Sequence, residues 1–249
     1  MAHKPLVLAV ETSSRIGSVA LALGGKILAE ATFSAPIRHS AEILPAICNL
    51  LENFNQKPSQ IEHVYISIGP GSFTGLRIAV TIAKTMHIAN TIKVVPVNTL
   101  DVIAANLINF TKEKNARYLI NESQKTSYER IATILDAKRG QFFIAVYEQN
   151  EKDGTFKKIL QDSLITAPQF LNQFTHNKKT IVLLGDGLLY HKDKFKADSV
   201  QFLDEKYWSP RASKVHLLGW KKALANQFVD PLTLIPNYLL RPDIKTKVK

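Results

Sequence analysis

The chain repeats one local pattern, and this repeat constrains its fold more than any other feature of the sequence. In the first copy, the apolar run Leu6–Glu11 ends in a carboxylate and is followed by a polar turn and a second apolar run, Gly17–Leu23. The second copy occupies 131–136 and 140–147, so its carboxylate, Asp136, lies 125 positions after the first one. Each copy predicts a β-hairpin with an acidic residue at its tip.

Alternating strand and helix patterns follow each hairpin. In the first half, an apolar run at 61–68 precedes a glycine-rich loop and a helical pattern at 76–89. In the second half, a run at 180–184 precedes the glycine-rich segment 185–187 and another run of helical character. Strands that alternate with helices indicate sheets with helices packed against them. The sequence therefore predicts a bilobal α/β fold.

Each half then carries one more strand and helix. The second of these helices has clear start signals, because Ser209 suits the N-cap and Pro210 the first helical position. We predict a first lobe at 1–108, a second at 109–220, and a helix end with a basic tail at 221–249. The polar, lysine-rich stretch 111–130 is predicted to be a loop near the boundary of the lobes.

The loop at 69–77 reads GPGSFTGLR and is the most specific motif. Its glycines allow a tight turn and a close approach to another group, and the N–H groups of the following helix suit an anion. However, it lacks the Gly-Lys-Ser/Thr of a Walker loop, and its last two glycines are too far apart for a dinucleotide motif. The usual nucleotide-binding patterns do not fit it.

Charge and cysteine content indicate the kind of binding partner and the cellular compartment. Lys and Arg outnumber Asp and Glu by 32 to 21, an excess that favours a polyanion such as RNA. Outside the tail at 241–249 the basic residues are dispersed, so we expect RNA contact through a partner. The single cysteine, Cys48, excludes an internal disulfide, suits the cytoplasm and is predicted to be a small buried residue. No apolar run approaches the roughly 18 residues of a membrane span, so no membrane contact is predicted.

Two helical patterns have a large apolar surface. The run at 40–51 places apolar residues on one stripe, and the run at 76–89 is apolar nearly all round. Burial in the protein's own core explains both patterns, and docking of helices from a partner is the alternative.

Three acidic residues are the best candidates for chemistry. Glu11, Asp136 and Asp186 each follow a strand, and such strand ends converge on the cleft of a bilobal fold. The seven histidines are scattered, so no metal site and no catalytic residue are predicted.

We interpret the surface where these acidic residues converge as a vestigial nucleotide cleft. It is formed by Glu11, Thr12, Ser13, Gly69, Gly71, Ser72, Asp136, Gly185 and Asp186. The alternatives are an active ATP-dependent phosphotransferase or ATPase of the sugar-kinase type and, by analogy only, a peptidase.

Six segments together resemble the bacterial TsaB family, also called YeaZ. They are VETSS at 10–14, RHS at 38–40, GPGSFTGLR at 69–77, DAKRG at 136–140, GDG at 185–187 and PNYLLR at 236–241. The resemblance covers the chain from end to end, although the stretch at 111–130 is longer than the family pattern.

This resemblance implies two ribonuclease-H-like lobes of the actin, Hsp70 and sugar-kinase (ASKHA) type, with mixed sheets and flanking helices. It also implies a role in making threonylcarbamoyladenosine (t6A) on tRNA, as a non-catalytic partner of a metal-holding TsaD-type subunit and a TsaE-type ATPase. TsaD-type subunits carry two metal-binding histidines on the helix that begins near Arg38, whereas this chain has only His39 there. The chain itself is then expected to need no cofactor, with ATP and magnesium acting at the level of the complex.

The family places partner docking on the first two helices. The predicted interface consists of Ile43, Leu44, Ile47, Leu51, Ile78, Ile82 and Met86. An exposed apolar patch on an isolated subunit also predicts a homodimer, and tRNA is expected to be reached through the complex.

Overall fold

We describe the protein from a computed structural model, which defines residues 3–33, 39–107, 128–150, 156–176 and 179–239, with only the backbone at 39 and 40. The regular elements of these residues are β1 (Leu6–Glu11), β2 (Gly17–Leu23), β3 (Lys26–Phe33), α1 (His39–Asn53), β4 (Ile61–Ser67), α2 (Phe73–Asn90), β5 (Lys93–Val97), α3 (Thr99–Ala104), β6 (Arg130–Lys138), β7 (Gln141–Gln149), β8 (Phe156–Thr166), α4 (Ala167–Phe174), β9 (Ile181–Leu184), β10 (Val200–Phe202) and α5 (Ala212–Leu224). None of the helices in these ranges is long and apolar enough to cross a membrane.

The two sheets have the same topology. The first has the strand order β3-β2-β1-β4-β5, with an antiparallel hairpin that pairs Glu11 with Ser18 and two parallel strands beyond it. The second has the order β8-β7-β6-β9-β10, and its hairpin pairs Asp136 with Phe142. The predicted duplication is confirmed, and so is the fold class of two ribonuclease-H-like lobes with mixed sheets and flanking helices.

Strand β1 is buried on both faces, which explains its continuous apolar sequence. Leu8 and Val10 face a core that α1 and α2 cover, whereas Val7 and Ala9 face a core that α5 covers. Alternate residues of one strand therefore contact different helices, as the period of a β-strand requires. This arrangement fixes the end of β1, where Glu11 lies, between two helical layers.

Helix α5 belongs to the first lobe by its contacts. Its first amide, on Ala212, donates to Ser18 Oγ at 2.8 Å, and Val215 packs into the first-lobe core. The predicted division at 108, 220 and 249 stays a prediction, but 212–224 packs on the first sheet rather than on the second. The boundary stretch at 108–127 and the tail at 240–249 lie outside the described residues.

Two predicted helix positions are wrong in detail. Helix α5 begins at Ala212 with Arg211 as its N-cap, because the Arg211 carbonyl accepts the first helical hydrogen bonds, from the amides of Lys214 and Val215. The run after Gly185 forms short 3₁₀ turns, at Asp186–Leu188 and Lys192–Phe195, in place of a longer helix.

Candidate functional site

The tip of the first hairpin is a hydrogen-bonded turn around its acidic residue. The amide and hydroxyl of Ser13 both donate to Glu11 Oε1, the amide at 2.6 Å, and Thr12 Oγ1 donates to Gly75 O at 2.7 Å. Complete burial raises the pKa of Glu11, the hydrogen bonds from Ser13 lower it in part, and the charge of Asp186 adds to the rise. The turn therefore holds Oε1 of this carboxyl group, while its Oε2 is buried and has no hydrogen-bond partner among the described residues.

The glycine loop packs directly on this turn. A Cβ added at Gly71 would lie 2.4 Å from Ser13 O, and one at Gly75 would lie 1.7 Å from Thr12 O. Ser72 N donates to Ser13 O at 2.7 Å, and the Ser72 hydroxyl caps α2 by accepting from Gly75 N at 3.3 Å. The close approach that the sequence indicates is thus an approach to the backbone of the hairpin.

The second lobe repeats this contact. Gly185 has a φ of 126°, and a Cβ added there would lie 2.1 Å from Ile134 O. A Cβ added at Gly187 would lie 2.7 Å from Asp136 N. In both lobes, glycines after the fourth strand allow a loop to lie against the hairpin.

The other two acidic residues also have partners within the chain. Asp136 accepts from Lys138 N at 2.8 Å and from Lys138 Nζ at 2.7 Å. Burial alone would raise the pKa of Asp136, but these bonds and the charge of Lys138 outweigh it and lower the pKa. Asp186 Oδ2 accepts from Arg15 N at 3.5 Å across the lobes. Burial raises the pKa of Asp186, Arg15 and Ser14 oppose the rise, and the charge of Asp136 adds to it.

A cavity of about 560 Å³ separates the two hairpin tips. Of the predicted cleft residues, Ser13, Gly71, Ser72, Asp136 and Asp186 line it, while Glu11, Thr12, Gly69 and Gly185 lie behind this surface. Sequence reasoning missed the further lining residues Arg15, Phe73, Lys138, Tyr190, His191 and Tyr238. Their only sequence signal is their place within or next to the quoted motifs.

The C-terminal motif docks on the glycine loop. Asn237 N donates to Ile68 O at 2.7 Å, and the ring of Tyr238 lies 5.1 Å from that of Phe73. The guanidinium of Arg77 lies 3.8 Å above the Phe73 ring, and its Nε donates to Tyr238 Oη at 3.3 Å. Two motifs that are about 160 residues apart in the sequence thus form one wall of the cleft.

The residues at the cleft do not form a ready site for a metal ion. In the ranges that the structure defines, no three His, Cys, Asp or Glu side chains are grouped to hold one. The cleft acids instead bind Ser13, Lys138 and the amide of Arg15. We therefore derive no metal-dependent step at this cleft, and its assignment as a vestigial nucleotide cleft stays a prediction.

The predicted interface residues have different positions on the helices. Ile43, Ile47 and Leu51 are buried in the first-lobe core, so they support the α1 surface and do not lie on it. Leu44 is 59% exposed. On α2, the stripe formed by Ile78, Ile82 and Met86 is partly exposed and packs against the same core. Sequence reasoning missed Ile88, which is 74% exposed, and wrongly predicted a buried Cys48, which is exposed on α1.

Comparison with known proteins gives the family. A family model described as TsaD, tRNA N6-adenosine threonylcarbamoyltransferase, matches residues 27–228. The chain belongs to this family. Curated relatives carry the name tRNA threonylcarbamoyladenosine biosynthesis protein TsaB. The one from Bacillus subtilis is 27% identical and covers 97% of this chain and 96% of its own length. The one from Escherichia coli is 27% identical over 58% of this chain and 56% of its own length.

A solved structure has the same fold. YeaZ from Pseudomonas aeruginosa superimposes with a TM-score of 0.74 and 22% identity, over 94% of this chain and all of that one. Together with the curated relatives, this confirms the TsaB (YeaZ) membership that the six sequence segments indicate.

Proposed function

We propose that this chain is a non-catalytic scaffold and dimerisation subunit of the complex that makes t6A on tRNA in the cytoplasm. It binds and supports a TsaD-type catalytic subunit and a TsaE-type ATPase, and it reaches tRNA through that complex. When isolated, it pairs with a second copy of itself. The relatives named for t6A biosynthesis, which match nearly the whole chain, support the role in tRNA modification.

The observation that carries the scaffold role is the engagement of the cleft by the chain's own groups. Ser13 holds Glu11, Lys138 holds Asp136, and the glycines that could approach a phosphate lie against the hairpin backbone. Glu11 and Asp136 therefore each have a partner within the chain, and the cavity of about 560 Å³ lies between the two hairpin tips. In this proposal the chain needs no cofactor, and ATP and magnesium act elsewhere in the complex.

The surface of α1 and α2 supports partner binding. Leu44 on α1 is a large apolar side chain that is mostly exposed, and the stripe at Ile78, Ile82 and Met86 on α2 is partly exposed. Ile88 is also mostly exposed, but it lies one turn after Lys84 and therefore on a different side of α2 from the stripe. Exposed apolar residues are typical of protein interfaces. A helical surface of the TsaD-type subunit, or of a second copy, would cover them.

Cys48 provides a direct test because it is the only cysteine and lies one turn after Leu44 on α1. We expect a purified TsaD-type subunit to bind this chain and to slow the reaction of Cys48 with a thiol reagent at least about tenfold, since a docked surface excludes the reagent. A complex that forms without protection of Cys48 would place the interface elsewhere. Failure to form any complex would contradict the scaffold role.

Asp136 and Asp186 line the cleft and Glu11 lies behind its surface, close enough to interact with Asp186. This placement favours one alternative, an ATP-dependent phosphotransferase or ATPase of the sugar-kinase type. Calorimetry with ATP and magnesium separates the two functions. The scaffold role predicts no binding heat from the isolated chain at micromolar concentration, whereas saturable binding that Asp186→Asn abolishes would favour the alternative.

A further inference from the structure

Tyr190 is the most exposed of the large apolar side chains that the structure describes. It is 79% exposed, and it lines the cavity between the two hairpin tips. Within the described residues, its side chain has no hydrogen bond, ion pair or ring contact. Both faces of an aromatic ring are costly to leave in water, so an unpartnered ring at a cavity indicates a place where a ligand binds.

The main chain that carries Tyr190 is nevertheless fixed. Leu189 N donates to Asp186 O at 3.2 Å, and the Leu189 side chain packs against the second-lobe core. On the other side, the His191 ring meets the Phe142 ring edge to face, with the centroids 5.3 Å apart. A free ring on an anchored main chain can stack on a ligand without the entropy cost of ordering a loop.

The first lobe adds two more rings to the same cavity. Phe73 at the start of α2 and Tyr238 in the C-terminal segment both line it, with ring centroids 5.1 Å apart. Arg77 holds this pair, because its guanidinium lies 3.8 Å from the Phe73 centroid and its Nε donates to Tyr238 Oη. The cavity of about 560 Å³ therefore has aromatic walls from both lobes, and its volume is that of a small-molecule pocket.

Two cations and two carboxylates complete the charged lining. Arg15 comes from the first hairpin tip and Lys138, whose side chain is 82% exposed, from the second. Asp136 is paired with Lys138 Nζ at 2.7 Å, and Asp186 accepts from Arg15 N. These acids disfavour the several negative charges of a polyphosphate, whereas a single phosphate brings only one charge to the two cations.

We propose that this cavity takes an unpaired nucleotide of RNA, with its base stacked on Tyr190 and its phosphate beside Arg15 and Lys138. Aromatic rings next to cations are the usual means of binding single-stranded nucleic acid. Loop bases can be turned outward and stacked in this way, whereas the bases of a duplex are already stacked on each other. The net charge of +11 attracts the polyanion. The inference rests on the proposed role in tRNA modification, and it adds a direct RNA contact by this chain.

Fluorescence anisotropy with the chain alone tests this contact. The probe is a fluorescein-labelled single-stranded RNA of about twelve nucleotides, and the reference is the same strand annealed to its complement. We expect the single strand to bind at least about fivefold more tightly than the duplex, because only its bases are free to stack.

Variants of the platform then assign the binding to the cavity. Tyr190→Ala should weaken single-strand binding at least about fivefold, whereas Tyr190→Phe, which keeps the ring, should bind within about twofold of the unaltered chain. Lys138→Gln should weaken binding and lower the salt dependence by about one phosphate contact. Lys157→Gln, at an exposed position on β8, is the matched charge control and should bind normally.

Three results would overturn the proposal. They are no binding by the unaltered chain at about 100 μM, equal affinities for single strand and duplex, and a folded Tyr190→Ala variant that binds as the unaltered chain does. Circular dichroism checks the fold, which Tyr190 hardly supports because it is exposed. The TsaD-type subunit is absent from this assay, so failure of the RNA contact is distinct from failure of the scaffold role, which is measured by complex formation.

Discussion

At the scale of single residues, backbone contact decides which glycines the chain needs. The loops that follow β4 and β9 touch the hairpin tips so closely that any side chain at Gly71, Gly75, Gly185 or Gly187 would meet backbone atoms. Backbone atoms cannot move aside as the end of a flexible side chain can. Substitutions at these positions therefore act on the joint between loop and hairpin.

Gly75→Ala tests this joint because two effects have opposite signs. Within a helix, alanine is favoured over glycine by about 1 kcal/mol. At Gly75 the new Cβ would meet Thr12 O at 1.7 Å, and overpacking of this kind costs about 1–3 kcal/mol or more. We expect a net loss of about 2 kcal/mol in the free energy of unfolding in urea.

Gly140→Ala is the matched control. Its φ of 76° disfavours alanine, but nothing lies within 4 Å of the added Cβ. We expect a loss of about 1 kcal/mol from the left-handed backbone alone. If Gly75→Ala were more stable than the unaltered protein, the close packing of loop and hairpin would be wrong.

His216 gives a pH-dependent prediction. It is buried under the first sheet, and its Nε2 donates to Gly24 O at 2.8 Å. Burial lowers the pKa of His216, and the bond to Gly24 offsets this only in part. The unfolded chain takes up the proton near pH 6.5, and the folded chain takes it up only at lower pH. The contribution of neutral His216 to the free energy of unfolding is therefore fully present above pH 6.5 and is lost as the pH falls from there towards the lower pKa of the folded chain.

Urea unfolding between pH 7.5 and 5.5 measures this loss, with a limiting slope of about 1.4 kcal/mol per pH unit for one proton. His216→Gln keeps a donor but cannot titrate, so its stability should fall less over the same range. The contribution of His63, whose pKa burial also lowers, is common to both proteins. Parallel curves would contradict the assignment to His216.

At the scale of elements, α1 and α2 combine a buried stripe with an exposed apolar surface. Ile43 and Leu44 are neighbours in the sequence, but the first is buried in the core and the second is mostly exposed. On α2, Arg77 and Lys84 contact the C-terminal segment, through Tyr238 and the carbonyl of Leu232. The stripe at Ile78, Ile82 and Met86 lies on the other side of the helix from these two cations.

Leu44→Glu tests the docking surface. Because Leu44 is exposed, the variant should keep the stability of the unaltered chain, while the introduced charge weakens association with the TsaD-type subunit at least about tenfold. Asn49→Glu, on an exposed position further round α1, is the matched charge control and should bind normally. Light scattering or calorimetry gives the affinity, and equal affinities for the two variants would exclude Leu44 from the interface.

Ile43→Glu tests the core instead. Its carboxylate would be buried among apolar side chains without a partner, which costs several kcal/mol. We expect this variant to unfold at markedly lower urea concentration than Leu44→Glu. A stable Ile43→Glu protein that fails to bind would mean that Ile43 faces the partner.

The element patterns could be predicted where local sequence decides them. The two hairpins and the parallel strands are continuous apolar runs with clear turns, and the sequence predicts them correctly. The sequence did not predict which α1 residues face the core and which face solvent. In the structure Leu51 is buried in the core, whereas Cys48 is exposed. The sequence also could not predict which lobe α5 contacts, because an amphipathic helix can pack on either sheet and tertiary packing decides between them.

At the scale of the whole molecule, two copies of one lobe face each other across a cleft whose acidic residues are bound by groups of the chain itself. The sequence could predict that Glu11, Asp136 and Asp186 follow strands that end at this cleft. It could not predict that Lys138 and Ser13 would engage two of them, or that Tyr238 would close one wall, because these contacts depend on the turns and on the path of the C-terminal segment. The scaffold role depends on these contacts within the chain and on an exposed docking surface.

The most direct measurement of that role is threonylcarbamoylation of tRNA by the reconstituted complex. The account predicts no product from this chain alone and a rate at least about a hundredfold lower when it is omitted, because the catalytic subunit then lacks its support. It also predicts an unchanged rate with the Asp136→Asn, Asp186→Asn double variant, provided that the variant folds. A full rate without this chain, or a folded double variant that binds its partner but abolishes product formation, would contradict the account.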